Sequence, residues 1–332
     1  MTSELATTAA HSITRTDLEL SARTVDRMER SIPANTRRAY DRQWNQFAAW
    51  CAAHGRTALP STRETLAEYV SGLVDDDKSP ATIEQAIAAV RTAHRYAGHH
   101  SLPDTEQARA VLRLHKRERA ERGQRTRKAP AVTLAPLRAM VDALDTTTIT
   151  GLRDRALLVL GFAAMARRSE LAALRIEDLM FTEDGLTVLV RASKTDQEAK
   201  GATVHLPYGS HASTCPVRTL RSWLTVLADN DFTTGPVFRR ITRHGHLQDG
   251  GMSGAAINER VKVLAERAGV KGAEKFTAHG LRAGAPTEAA RRGVPVAHIA
   301  EHGRWSKASP VVHEYVRTAD AWRDNPVQSI GL

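Results

Sequence analysis

The chain has 332 residues and carries 47 Lys and Arg residues against 37 Asp and Glu residues, a formal net charge of +10. This length exceeds what one hydrophobic core usually reaches, so we expect two domains. No apolar stretch is long enough for a transmembrane helix, and the first 30 residues contain acids but no apolar run, so we expect no secretory signal. Only Cys51 and Cys215 occur, far apart, so we expect neither a disulfide framework nor a zinc knuckle and predict a cytoplasmic protein. The positive charge favours an anionic partner, nucleic acid first.

The basic residues divide into 38 Arg and 9 Lys. Arginine suits phosphate recognition because its planar fork donates two hydrogen bonds at once. A GC-rich genome also raises the arginine content of the proteins it encodes. The ratio leaves both explanations open, so the position of each arginine has to decide its role.

The first third of the chain has the apolar spacing of helices. Residues 1–30 predict a flexible arm and a first helix, and residues 31–121 predict a compact helical domain. Start and stop signals divide this domain into four further helices. We expect them from Asn35 or Thr36 to Gly55, from a Ser61–Glu64 capping box onward, from Ser79–Pro80 to Gly98, and from Thr105 to Arg122.

A basic segment ends this domain. Residues 109–128 contain nine Lys or Arg residues and two acids, and residues 122–132 predict an interdomain linker because they lack an apolar face. Either a solvated charged face or a clamp around DNA explains such a run. The candidate DNA contacts are the basic residues here and on the expected exposed side of the helix near 80–97: Arg91, His94, Arg95, Arg113, Lys116, Arg117, Arg125, Arg127 and Lys128.

Residues 133–332 predict a larger, mostly helical domain with a C-terminal tail. A turn signal at 183–185 and strand-like alternation over 186–191 and 202–207 predict one small antiparallel sheet, a hairpin joined through 193–201. Helices are expected at about 133–144, 150–165, 215–228, 252–268, 281–292, 295–301 and 306–317. The predicted fold class is therefore mostly α: a helical bundle followed by an α+β domain.

Two polar islands lie in the first half of this larger domain. Arg167 and Glu170 are three residues apart after a very apolar helix, so the acid can orient the guanidinium, although a surface ion pair has the same spacing. Lys194 lies at the tip side of the predicted hairpin, where a lysine is also commonly just solvated.

Two further islands follow near the C-terminus. His279 and Arg282 are three residues apart near a helix start, a pairing suited to phosphate but also found for structural histidines. Trp305 lies in a Gly-Arg-Trp-Ser segment, and Tyr315 is the only tyrosine close in sequence to such an island. Burial in the core is the alternative for the tryptophan.

In this order, Arg-x-Ser-Glu-Leu, Ser-Lys-Thr, His-x-x-Arg, Gly-x-Trp and a late tyrosine, the islands resemble the tyrosine recombinase (phage integrase) family. The Gly303–Ser306 segment resembles its Cre-like branch, in which tryptophan replaces a histidine. The resemblance covers about residues 35–330 and implies a SAM-like core-binding domain followed by a catalytic domain. One departure is that Tyr315 follows Trp305 by ten residues rather than nine.

The resemblance also implies a role for each matching residue. Tyr315 is expected to attack a DNA phosphodiester and form a 3′-phosphotyrosine, while Arg167 and Arg282 hold the non-bridging oxygens. Lys194 is expected to protonate the departing 5′-hydroxyl. His279 is expected to assist proton transfer, Trp305 to donate a hydrogen bond to the phosphate, and Glu170 to be the supporting acid.

Elementary chemistry agrees with these expectations. Phosphate ester exchange passes through a transition state with extra negative charge, which fixed cations stabilise without a metal ion. A phenol with a pKa near ~10 needs a cationic pocket to react at neutral pH, and a 5′-alkoxide needs a general acid to leave. Because the phosphotyrosine conserves the bond energy, resealing requires neither ATP nor another cofactor.

The expected function is therefore site-specific DNA recombination through a Holliday junction. By the same resemblance we expect double-stranded DNA with an inverted-repeat site as partner, a homotetramer on two sites, no membrane association, and action on a bacterial nucleoid with a phage or plasmid origin possible. A simple recombinase is favoured over a directional integrase, because the first 30 residues leave no room for an arm-binding domain. A non-catalytic DNA-binding regulator of the same fold and a metal-dependent nuclease are the alternatives. The complete residue set speaks against the regulator, and the missing carboxylate cluster speaks against the nuclease.

Overall fold

The computed structural model describes residues 14, 19–99, 102–124, 129–191, 201–306, 309–320, 327 and 330. The chain divides into two compact units, Met1–Arg127 and Lys128–Leu332. Among the described residues, no helix combines the length and the apolar character needed to cross a membrane. Four candidate site residues, Lys194, Arg125, Arg127 and Lys128, lie outside the described residues.

Helices are the only regular secondary structure in the described part of the first unit. Its helices are α1 (Ala22–Ser31), α2 (Ala34–Ala53), α3 (Arg63–Asp75), α4 (Pro80–Tyr96) and α5 (Glu106–Glu121). Phe47, Leu66, Val70, Ile83 and Val90 are completely buried and form the centre of its core. They come from the apolar stripes of three helices, which bury each stripe only by packing against one another.

Local capping chemistry sets the start of two of these helices. The Ser79 side chain accepts a hydrogen bond from the backbone N–H of Thr82, and Pro80 occupies the first turn, as the sequence predicts. The predicted Ser61–Glu64 capping box is wrong by one residue. Thr62 caps α3 by accepting from the N–H of Thr65, whereas the N–H of Ser61 donates to Nε2 of His94 at 2.8 Å.

This second bond corrects the expectation that His94 lies on the exposed side of its helix. The His94 side chain is fully buried, and its Nδ1–H donates to the carbonyl of Val90 at 2.8 Å while Nε2 accepts from Ser61. Both ring nitrogens are therefore occupied by the backbone, which removes His94 from the candidate DNA contacts. Arg95 is exposed and Arg91 half-buried.

We expect this buried imidazole to make stability depend on pH. Burial lowers the pKa of His94 below its ordinary value of 6.5, so the unfolded chain binds more protons in acid than the folded chain does. The contribution of the neutral His94 to the free energy of unfolding is complete above about pH 6.5. It is lost as the pH falls towards the lower pKa of the folded state. Thermal unfolding of the full chain between pH 7.5 and 5 should show this loss, and His94→Gln should reduce the pH dependence. An unchanged pH dependence in the variant would contradict the assignment.

The second unit packs helices around one long apolar helix. Its helices are α6 (Leu134–Asp142), α7 (Ile149–Ala163), α8 (Arg168–Ala173), α9 (Pro216–Ala228), α10 (Gly254–Arg267), α11 (Ala278–Arg291), α12 (Val296–His302) and α13 (Pro310–Asp320). Helix α7 has the run Leu157–Leu160 buried on all sides, which explains why its sequence is almost continuously apolar. Its end at Ala163 leads directly into the first polar island.

This unit contains two antiparallel sheets among its described residues, so the prediction of a single sheet is wrong. One sheet has the order β1 (Leu179–Phe181), β2 (Gly185–Val190) and β3 (Ala202–Pro207); the other pairs β4 (Arg239–Ile241) with β5 (Leu247–Gly251). The predicted partners are confirmed, with Val188 opposite Val204. The β4–β5 pair was missed because its sequence is rich in Arg and Gly, and Arg239 is buried with its guanidinium over the Phe232 ring, 3.9 Å from the centroid.

Two glycines allow the start of this unit to pass close to helix α11. A Cβ at Gly284 would lie 1.7 Å from the carbonyl oxygen of Val132, and a Cβ at Gly280 would lie 2.7 Å from that of Pro130. The backbone N–H of Val132 donates to the carbonyl of Gly280 at 2.9 Å. Only glycine fits at such an approach. Segment 130–132 can therefore lie directly against α11 and hold this helix, which carries His279 and Arg282.

Candidate active site

Three of the four polar islands come together in the second unit. The corner after α7 carries Arg167 and Glu170, the first turn of α11 carries His279 and Arg282, and the turn between α12 and α13 carries Trp305. Tyr315, on α13, is the remaining member of this group. Residues almost 150 positions apart in sequence are thus neighbours, which no local pattern could establish.

The first island is built by the start of a short helix. Arg167 is the N-cap of α8, and Oε2 of Glu170 accepts its backbone N–H at 2.8 Å. Oε1 of the same carboxylate accepts a hydrogen bond from Nη1 of Arg167 at 2.7 Å. The Glu170 side chain is only 3% exposed and that of Arg167 is 17% exposed, so the acid holds the guanidinium from below.

Arg282 is the most enclosed of the site's described arginines, with 2% of its surface exposed. Its Nη2 donates to the carbonyl of Gly303 at 2.7 Å, and its Nη1 donates to the carbonyl of Met165. The Trp305 ring covers the guanidinium, with 4.3 Å between Cζ and the ring centroid. Two carbonyls and a ring face thus fix its plane, as expected for a preorganised anion-binding group.

Tyr315 lies beside His279 and Trp305. Its hydroxyl lies 3.5 Å from Nε2 of His279, and its ring lies 5.6 Å from that of Trp305, centroid to centroid. The tyrosine side chain is half-buried. A phenol, an imidazole and a buried guanidinium therefore share one small region.

The charges of the site shift the pKa values of its members. Burial, followed by the charge of Arg167, lowers the pKa of Arg282 to about 10, which still leaves it cationic at pH 7. Partial desolvation and the charges of Arg282 and Arg167 lower the pKa of His279. Burial alone would raise the pKa of Glu170, but Arg304 and Arg167 together lower it. At neutral pH the site therefore combines cationic arginines and an ionised glutamate with a neutral histidine.

Sequence reasoning missed one member of the site, Arg304. Its Nη2 donates to Oε2 of Glu170 at 2.7 Å, and its side chain is 7% exposed. Its neighbour His302 donates from Nε2 to the carbonyl of Ala163 at 2.7 Å. The signal was present, because Arg304 stands between Gly303 and Trp305 in the fourth island, but among many arginines nothing local distinguished it.

Three candidate DNA contacts of the first unit line one open groove. Arg113, Lys116 and Arg117 are exposed on α5. Arg113 and Lys116 line an open groove of about 430 Å³ together with Arg91 of α4. Lys116 is held by Glu84 across the groove, with 2.5 Å between Nζ and Oε1, so part of the positive charge is internally compensated.

No cluster of three or more His, Cys, Asp or Glu side chains suited to a metal ion occurs within the described ranges. His298 and His302, which have the i, i+4 spacing of metal ligands, are not joined by a third ligand there. The polar groups that the site does bring together are arginine, histidine, tyrosine and one glutamate, a set that favours a phosphate rather than a cation.

Comparison with known proteins identifies both units. Residues 27–100 match the N-terminal SAM-like domain of phage integrases, and residues 132–321 match the phage integrase family. An integrase/recombinase xerD homolog from Selenomonas ruminantium is 34% identical over 311 residues, 92% of this chain and 88% of that protein. Recombinase cre from Escherichia phage P1 is 24% identical over 288 residues, 83% of this chain and 81% of that protein. Since both kinds of relative match, the Cre-like branch stays a prediction.

A solved structure supports the fold. The Tn1549 transposon integrase in complex with transposon right end DNA has a TM-score of 0.59 at 14% identity, covering 89% of this chain and 93% of that one. The predicted fold class, a SAM-like helical domain followed by a mostly helical domain with a small antiparallel sheet, is confirmed, and the β4–β5 pair is an addition to it. The two family matches, the relatives and the fold agree. The chain therefore belongs to the phage integrase family, the tyrosine recombinases, which are site-specific DNA recombinases.

Proposed function

We propose that this recombinase binds double-stranded DNA and cleaves and rejoins its strands through a 3′-phosphotyrosine on Tyr315. The observation that carries the proposal is the placement of the Tyr315 hydroxyl 3.5 Å from Nε2 of His279, beside the buried guanidinium of Arg282. A nucleophile, a proton acceptor and a fixed cation are the groups that phosphate ester exchange needs together.

In the proposed step, the Tyr315 oxygen forms a bond to phosphorus while the bond from phosphorus to the 5′-oxygen breaks. His279, neutral because its pKa is lowered, accepts the phenolic proton. Arg167 and Arg282 stabilise the charge that develops on the non-bridging oxygens. Arg282 can do so although it binds two backbone carbonyls, because a guanidinium has five N–H groups.

Two residues complete the proposed machinery. Trp305 covers Arg282 and offers an indole N–H to the phosphate, while Lys194 protonates the leaving 5′-oxygen. Lysine suits this role because it can release a proton at accessible pH and arginine cannot. Glu170 is a positioning residue, since its carboxylate contacts Arg167 rather than the reacting atoms.

We also propose the larger context of the reaction. Four copies of the chain would act on two inverted-repeat sites and exchange strands through a Holliday junction, on the nucleoid in the bacterial cytoplasm. The relatives come from bacteria and from a bacteriophage, in keeping with a phage or plasmid origin. The groove lined by Arg91, Arg113 and Lys116 is the proposed contact of the first unit with phosphates.

The test of the proposed function begins with a target site obtained by binding selection from random DNA. A duplex with this site and a nick beside the cleavage position loses a short 5′-hydroxyl fragment after attack, which traps the covalent product. We expect a protein–DNA adduct in the presence of a chelator, with the phosphopeptide mapping to Tyr315. Cleavage that needs magnesium and yields free ends would favour the nuclease alternative, and binding without any cleavage would favour the regulator.

Lys194→Ala should slow cleavage of ordinary DNA by about 100-fold or more, because the 5′-alkoxide then leaves without a proton. The same variant should cleave a substrate with a bridging 5′-sulfur at nearly the wild-type rate, since a thiolate leaves unaided. The rate of adduct formation on each substrate gives the ratio of wild-type to variant cleavage. Equal losses on oxygen and sulfur would show that Lys194 is not the general acid.

A further inference from the structure

Arg304 takes part in the site without a role in the reaction described above. It has a φ of +58°, a region that L-residues adopt only at a cost and that glycine adopts freely. Glycine would therefore be the easier residue at this position. The backbone cost of an arginine in this conformation has to be offset by the contacts of its side chain.

That side chain ties two segments of the site together. Nη1 of Arg304 donates to the carbonyl of Ala164 at 3.0 Å, and Nη2 donates to the carbonyl of Met165 at 3.3 Å. Both carbonyls belong to the corner that precedes Arg167, whereas Arg304 itself belongs to the turn that precedes Trp305. Met165 also accepts from Arg282, so one carbonyl joins two of the arginines.

The same side chain shares the carboxylate of Glu170 with Arg167. Oε1 of Glu170 contacts Arg167 at 2.7 Å, and Oε2 contacts Arg304, also at 2.7 Å. The Arg304 and Glu170 side chains are 7% and 3% exposed, so water screens their charges weakly. Without Arg304, the buried negative charge of Glu170 would act on Arg167 alone.

We propose that Arg304 is a positioning residue that neutralises Glu170 and thereby leaves the positive charge of Arg167 available to the phosphate. The same contacts hold the turn that places Trp305 over Arg282. This inference rests on the proposed function, because it assigns Arg304 an effect on the arginine that is proposed to bind the reacting phosphate. Loss of Arg304 is therefore expected to slow cleavage because the carboxylate of Glu170 loses its second cation.

The test compares Arg304→Gly, Arg304→Lys, Glu170→Gln and the double variant R304G/E170Q in single-turnover cleavage of the nicked duplex. Arg304→Gly should slow cleavage by about 10- to 100-fold, because it leaves a buried charge without its partner. Its affinity for the uncleaved duplex should change by less than about threefold, since the Arg304 contacts described above are all within the protein. Arg304→Lys should keep most of the activity by keeping the charge.

The cleavage rate of the double variant distinguishes this role from a purely structural one. Because Glu170→Gln removes the unbalanced charge, R304G/E170Q should cleave at least about fivefold faster than Arg304→Gly alone. Asp231→Gly is the matched control for the backbone, since Asp231 is exposed, has a φ of +65° and lies outside the site; it should cleave at the wild-type rate.

Two results would overturn the proposal: wild-type cleavage by Arg304→Gly, or a double variant that is no faster than Arg304→Gly. Thermal unfolding of each variant checks the fold. If Arg304→Gly does not fold, Arg304→Met, which retains the apolar stem, replaces it in the same comparison with Glu170→Gln. Absence of an adduct with the wild-type protein would instead contradict the proposed function, so the two failures are distinguishable.

Discussion

Tyr315→Phe should form no covalent adduct with the nicked duplex, a loss of about 10⁴-fold or more relative to wild type. The substitution removes only the hydroxyl, so the ring can keep its place beside Trp305, 5.6 Å away between centroids. The Tyr315 hydroxyl, 3.5 Å from Nε2 of His279, is the proposed nucleophile. Gel separation under denaturing conditions measures the adduct, and binding of the intact duplex measures whether recognition survives.

Tyr96→Phe is a suitable control for this variant. The Tyr96 hydroxyl donates to the carbonyl of Met28 at 3.2 Å in the first unit, so its loss should leave adduct formation within about twofold of wild type. Persistent adduct formation by Tyr315→Phe would show that another residue attacks the phosphate, and peptide mapping of that adduct would identify it.

Arg282→Lys should reduce the cleavage rate by about 100- to 1000-fold, the range expected when a fixed donor to a developing oxyanion is lost. Lysine keeps the positive charge but not the planar fork, so it cannot bind the carbonyls of Met165 and Gly303 and face the phosphate at the same time. Lysine also lacks the planar group that Arg282 stacks against the Trp305 ring. The loss should appear mainly in the single-turnover rate rather than in duplex affinity.

Arg291→Lys provides the matched comparison on the same helix. Arg291 is exposed and pairs with Glu288 at 3.5 Å, and exposed ion pairs of this kind contribute little. We expect wild-type cleavage from this variant. If Arg282→Lys retained the wild-type rate as well, positive charge alone would be sufficient and the geometric role of the guanidinium would be wrong.

Much of the helical architecture could be predicted because its signals are local. The Ser79–Pro80 start of α4 and the continuous apolar run of α7 each depend on residues within a few positions. The β4–β5 pair could not be predicted in this way, since the burial of Arg239 depends on Phe232 and on backbone carbonyls of Thr234 and Asp249. His94 was misplaced for the same reason: its partner, Ser61, lies 33 residues away.

The candidate site shows the same division between local and distant information. By itself the sequence determined the family resemblance, because the order and spacing of Arg167, His279, Arg282, Trp305 and Tyr315 resemble one family. The same side chains predicted phosphate transfer. Only the tertiary structure decided which groups touch. Arg304 became a member of the site because Glu170, 134 residues earlier, requires a second cation once it is buried. A buried charge is balanced by whichever group the fold brings next to it, and the residues around that charge in the sequence do not predict this group.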